Sequence, residues 1–236
     1  YEKACILKEG CPVVAYASEQ SAMDVLTAYV DKCTFYPSCV QIKVTTATHL
    51  YSEPRTAKST NTSVELEAAP LGTTYTTTGI YKNTGGNMWY QVKTSTGEFG
   101  YIYAGRVEYV KKAYSDIKLT KYDVPTTITE GDIFYVTGTI KSTYNTLKKV
   151  KVYVYAGTDT SADPVTGGYA SISNNSYVLD GSTVDDAVAF DELSEGKYTY
   201  VISVTYESYY ADSTETVKKV SGTRTLKKVT FEVVAP

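Results

Sequence analysis

The chain has 236 residues, with 23 Lys and Arg against 26 Asp and Glu for a net charge of −3, and a pI near 5.3. That length allows two modest domains, each burying its own core, and the acidic balance excludes a nucleic-acid binder, which needs a clearly basic face. No apolar run approaches the ~20 residues of a membrane span, and 24 Tyr beside 5 Phe and 1 Trp suit pleated, half-exposed strands with hydrated outer faces.

Residues 1–43 read as a short α/β segment. The sequence starts at Tyr1 with no Met or leader ahead of it, which reads as a processed chain or an excised fragment. Val13, Val14 and Ala15 suggest a short strand. Ser21 and Asp24 then match a capping box, and Ala22, Val25, Leu26 and Tyr29 form one apolar stripe, so a helix is predicted over about 22–31. All four cysteines fall here: Cys5, Cys11, Cys33 and Cys39. An even number in a small segment fits a two-bridge framework in an oxidising compartment, with three connectivities open. A four-cysteine zinc site remains an alternative, although the pair spacings are loose for one, as do free thiols.

Residues 44–112 alternate short β-type segments with Gly, Asn and Ser turns, a pattern of a small β-barrel; Gln41–Thr45 leads in as a first strand. Three runs stand out: Leu50-Tyr51-Ser52-Glu53-Pro54, then Gly86-Asn87-Met88-Trp89-Tyr90-Gln91-Val92, then Gly97-Glu98-Phe99-Gly100-Tyr101-Ile102. In this order and spacing the region resembles the bacterial SH3 domain, although Tyr51 stands where that family usually has Arg. The resemblance implies a groove for an extended ligand, and its aromatic candidates are Tyr51, Tyr81, Trp89, Tyr90, Tyr101 and Tyr103, with Tyr51 and Tyr101 foremost. Each competes with a core role, because a small barrel fills itself with aromatics. Alternation puts Trp89 and Tyr90 on opposite faces, and Tyr101 and Tyr103 together on one. The single histidine, His49, reads as an ordinary strand residue. A Cys–His hydrolase would need a larger domain than the cysteine segment offers.

Residues 111–116 form a short polar linker that would hold two domains near each other. Beyond it, Val150, Val152 and Val154 alternate with Lys151, Tyr153 and Tyr155; Tyr198–Val204 and Val229–Val233 repeat the pattern. With turns at 129–132, 194–197 and 221–222, about seven strands point to a β-sandwich over 113–236. The runs 125–131, 136–140 and 190–200 resemble immunoglobulin-like domains, which implies a structural tyrosine corner at Tyr198 or Tyr200. The Lys pairs at 148–149, 218–219 and 227–228 read as solvated strand faces. The acidic stretch 158–186 (Asp159, Asp163, Asp180, Asp185, Asp186) reads as a solvated loop rather than a calcium site. The sequons at Asn61 and Asn174 carry no weight in a bacterial protein.

The sequence thus predicts a mainly β chain: residues 1–43 a Cys-containing segment, 44–112 an SH3-like barrel, 113–236 an immunoglobulin-like sandwich. No phosphate loop, nucleophile elbow or metal-spaced cluster is legible, so neither catalysis nor a cofactor or metal is expected. Both resemblances imply a secreted or cell-surface module, in which the first domain binds cell-wall peptide or glycan polymer and the second is a spacer. The alternatives are a structural surface or fibre subunit or adhesin that meets itself or a host surface, and an accessory fragment of a cell-wall hydrolase.

Overall fold

A computed structural model describes residues 29–123, 125–180 and 188–236, and its regular structure is almost entirely β. The chain forms two compact units. One holds the described residues up to Ala113 together with Ser208–Val220; the other holds Tyr114–Glu207 and Ser221–Pro236. Among the described residues no helix is long and apolar enough to cross a membrane.

The strand expected at 13–15, the Ser21 capping box, Cys5 and Cys11, and Asp185 and Asp186 lie outside the described residues. Of the helix expected to reach residue 31, Tyr29 and Val30 are helical. The cysteine framework is corrected in part: among the described residues no disulfide forms, and Cys33 and Cys39 are not joined. The strand β1 (Thr34–Tyr36) lies between them. The Cys33 thiol donates to the Tyr29 carbonyl at 3.6 Å, and burial raises its pKa. Cys39 is buried, with its N–H given to Ser208 Oγ at 2.6 Å.

In the first unit, β2 (Val40–Val44), β3 (Thr48–Tyr51), β4 (Glu65–Ala69), β5 (Thr74–Lys82), β6 (Met88–Lys93), β7 (Phe99–Tyr103) and β8 (Val107–Lys112) order as β4-β3-β7-β6-β5-β2-β8, with β1 also on β5. The sheet bends at β5, which gives its first half to β2 and its second half to β6, forming half a barrel. Two readable turns set the register. Asn83–Asn87 closes β5 onto β6, with Gly86 at φ +87°, and Thr94–Glu98 closes β6 onto β7, with Gly97 at φ +87°, a region that glycine enters without a Cβ clash. Across these hairpins Ile80, Tyr90 and Ile102 align on one face, and Tyr81, Trp89 and Tyr103 on the other. The first row joins Val40, Ile42, Val44, Leu50 and Val92 in the core.

The second unit is built on β10 (Thr127–Thr129), β12 (Thr146–Ala156), β13 (Thr166–Ser171), β15 (Gly196–Ala211) and β16 (Val217–Val234), in the order β10-β16-β15-β12-β13, with the end of β15 from 208 and the start of β16 to 220 belonging to the first unit. A second sheet orders as β14 (Ser176–Leu179), β11 (Thr137–Lys141), β9 (Lys118–Asp123). The two make a sandwich-like arrangement around Val150, Val152, Val154, Ile202, Val204 and Phe231, to which the second sheet adds Ile140 and Leu179. The predicted alternation at 150–155 appears in β12 as buried valines alternating with half-buried Lys151, Tyr153 and Tyr155. Of the two tyrosines named for a corner, Tyr198 donates its hydroxyl to the Ser194 carbonyl at 2.9 Å, while Tyr200 is fully buried in the core against Phe190.

Asp116, the last residue of the linker, organises the turn at 142–145. Its carboxylate accepts from Ser142 Oγ at 2.6 Å, from Tyr144 N at 2.7 Å, and from the N–H and side-chain amide of Asn145 at 3.1 and 2.6 Å. Burial pushes its pKa up, but these donors outweigh it and hold the carboxyl below its ordinary value. A depressed folded-state pKa gives stability that is full above the unfolded value of about 3.9 and disappears as pH falls through the folded one. Asp116→Ala is therefore expected to cost about 1–3 kcal/mol at neutral pH in urea unfolding. The gap to wild type should narrow as the pH is taken well below about 4. A gap unchanged in acid would refute the assignment.

Candidate ligand-binding surface of the first unit

The aromatic candidates separate by face. Tyr90 belongs to the core, where its hydroxyl accepts from Ala211 N at 2.7 Å, and burial raises its pKa far above the ordinary value. The other five share the opposite face. Tyr51 pairs with Tyr101 across β3 and β7, beside the Tyr81–Trp89–Tyr103 row. Their rings touch in sequence: Tyr51 to Trp89 at 5.7 Å and 87°, Trp89 to Tyr103 at 5.5 Å and 47°, Tyr81 to Tyr101 at 5.3 Å and 80°. The Tyr51–Trp89 and Tyr81–Tyr101 pairs set ring edges against ring faces, as their quadrupoles favour, and Trp89–Tyr103 is tilted.

This face is not an open groove. Tyr51, Trp89 and Tyr101 are 9%, 3% and 5% exposed, and Val30 and Ala57 pack on them. Gln91 Nε2 donates to the Tyr101 hydroxyl at 2.9 Å. The two residues most expected to meet a ligand, Tyr51 and Tyr101, are therefore largely enclosed. Open space lies beside the rings instead, in two clefts.

The first cleft, of about 330 Å³, is lined by Trp89 and Tyr103 together with Arg55, Lys58, Asn61 and Asn87. Asn83 builds its rim: its amide donates to the Pro54 carbonyl at 3.0 Å, and its Oδ1 accepts from Gly85 N and Asn87 N, each at 3.0 Å. Asn61 caps its own loop through Ser63 N at 2.9 Å. Asn87 and Lys58 are exposed. The buried indole N–H of Trp89 has no hydrogen-bond partner among the described residues, an exception to the rule that buried donors are paired. The Tyr103 hydroxyl donates to the Glu215 carboxylate, which also accepts from Met88 N at 3.1 Å. That bond, more than burial, raises the Tyr103 pKa.

Arg55 stands at the wall of this cleft. It pairs with Glu53, whose side chain is completely buried, and donates to Thr62 Oγ1 at 3.1 Å; its guanidinium lies 3.6 Å over the Tyr29 ring. The second cleft, of about 540 Å³, is lined by Thr48, His49, Tyr51, Ala69, Pro70 and Arg106, among others. The imidazole of His49 lies 3.6 Å from the Glu65 carboxylate, both partly exposed.

Sequence reasoning named the rings and missed the polar residues of both clefts. The Asn83–Asn87 run was readable as a turn, and Arg55, Lys58 and Arg106 as loop charges; nothing local says that these loops meet around Trp89. Among the described residues no three His, Cys, Asp or Glu side chains converge as a metal site would need. No protein-family model, curated protein or solved structure matches the chain.

Proposed function

We propose that the chain is a non-catalytic, secreted or cell-surface binding module. Its first unit, of bacterial SH3 type, holds cell-wall peptide or glycan polymer, and its second, of immunoglobulin type, is a spacer. The observation that carries this reading is the aligned aromatic row with a polar cleft at either side. An extended polymer needs a few ring edges for contact and scattered donors and acceptors for register. The first cleft offers amides and a lysine, a set suited to hydroxyls and peptide carbonyls rather than to an apolar ligand.

The test is retention of the purified chain on insoluble Gram-positive peptidoglycan. Wild type is expected to be retained, and the double variant Asn87→Ala/Lys58→Ala to lose about ten-fold in affinity, two modest polar contacts' worth. Both side chains are exposed, so the fold should survive, which circular dichroism checks. Wild type passing through, or equal retention of the variant, would sink the reading.

One feature favours a structural subunit instead. The edge strands β13 and β14 carry Tyr169 at 60% and Val178 at 53% exposure, and unpaired edges with apolar side chains template strand addition. Light scattering that rises steeply with concentration would favour that reading, and a monomer at high concentration would end it.

A further inference from the structure

The second cleft holds a guanidinium, that of Arg106, which forms no ion pair among the described residues. Arg106 closes a short 3₁₀ turn (Ala104–Arg106), and its carbonyl accepts from Thr45 N at 2.8 Å and Thr46 N at 3.3 Å, so the backbone it leaves from is fixed. Its side chain is exposed and makes no ion pair or hydrogen bond among the described residues. The Glu65 carboxylate lies 3.6 Å from the His49 imidazole, and its charge is felt at Tyr51. Thr48 and Tyr51 line the same cleft, their side chains hydrogen-bonded to each other. Burial first, and the Glu65 charge second, raise the Tyr51 pKa, so its phenol stays protonated and able to donate. Ala47, Ala68, Ala69 and Pro70 form the remaining wall.

We propose that this cleft binds an oxyanion carried by the polymer, a carboxylate or a phosphodiester, on the guanidinium of Arg106. A planar guanidinium presents paired N–H groups that match two oxygens of either anion, which a lysine ammonium does not. The Tyr51 hydroxyl, which accepts from Thr48 and keeps its own proton, adds a donor. Tyr51 also touches Trp89, so an anion held here lies one ring away from the indole. The proposal rests on the polymer-binding reading for its ligand, and it names the charged class within it.

Trp89 is the chain's single tryptophan, so its emission, together with calorimetry, reports binding to this face. Three probes are titrated: a polyuronate, a poly(glycerol phosphate) and neutral dextran. Wild type is expected to bind one or both anionic polymers, more weakly as salt rises, and not dextran; which anion binds tells carboxylate from phosphodiester. Arg106→Gln should weaken that binding about ten-fold or more, with Arg106→Lys recovering only part. Dextran binding equally well, no binding of either anionic polymer, or an unchanged Arg106→Gln would overturn the proposal. Peptidoglycan retention that Arg106→Gln leaves intact while Asn87→Ala/Lys58→Ala abolishes it also overturns the anion cleft, but leaves the polymer reading standing. Anionic binding through Arg106 without peptidoglycan retention does the reverse.

Discussion

Arg55→Met is expected to destabilise the first unit by about 3–5 kcal/mol, the penalty for stranding a buried charge. Glu53 has no exposed side-chain surface, and its carboxylate is satisfied by the Arg55 guanidinium and the Thr62 hydroxyl. Removing the guanidinium leaves one hydroxyl facing a full negative charge that no water reaches. The loop around it depends on the same centre. Ser63 Oγ donates to the Arg55 carbonyl at 2.7 Å, and Val64 N to Ser52 Oγ at 3.0 Å, so residues 52–64 are laced around the ion pair.

The double variant Glu53→Gln/Arg55→Met separates charge from packing. With no charge to strand, it should recover most of the loss and sit within about 1–2 kcal/mol of wild type, since a buried pair is worth little against neutral groups of similar volume. Arg55→Lys should fall between, keeping the charge but losing the fork to Glu53 and Thr62 and the planar contact over Tyr29. Urea unfolding followed by Trp89 emission reads this unit, because the only tryptophan lies in it. A loss below about 1 kcal/mol for Arg55→Met, inside the range of exposed pairs, would show that water reaches Glu53 after all.

The same two residues mark where the sequence stops being informative. Alternation along β6 and β7 correctly opposes Trp89 to Tyr90 and Ile102 to Tyr101 and Tyr103, because a strand's period of two is local physics. The Gly86 and Gly97 turns are equally local, and they fix the register that lines up Tyr81, Trp89 and Tyr103. By contrast, Glu53-Pro54-Arg55 reads as a charged loop. Its burial is decided by Thr62 and Val64, brought over it by chain that carries no pattern of its own. The enclosure of Tyr51 and Tyr101 has the same origin, since Val30 and Ala57 come from segments without a periodic signal. An even number of cysteines suggests staples at Cys33 and Cys39, but number says nothing of Cα separation or side-chain direction.

The longest-range feature is the return of Ser208–Val220 to the first unit, and deleting it should have the larger effect on folding. A chain ending at Ala113 is expected to lose its cooperative thermal transition. Ala211 is buried in this core, and Tyr209, Tyr210, Val217 and Val220 pack on it. Tyr210 stacks on Tyr109 with centroids 4.2 Å apart, and Ser38 Oγ donates to the Tyr209 carbonyl at 2.7 Å. Without the segment the Tyr90 hydroxyl loses both backbone groups of Ala211, 121 residues away, while remaining deep in the sheet. An orphaned buried hydroxyl costs about 1–3 kcal/mol, and each apolar side chain no longer covered forfeits about 1.5–3 more. Domains this small have about 5 kcal/mol to spare at the low end, so the sum is enough to unfold the unit. Fusing residues 208–220 to the truncated chain through a flexible linker should restore a sharp transition, because only loop closure is added. Dispersed amide proton resonances and a cooperative melt from the truncated chain alone would show that residues up to 113 complete their own core.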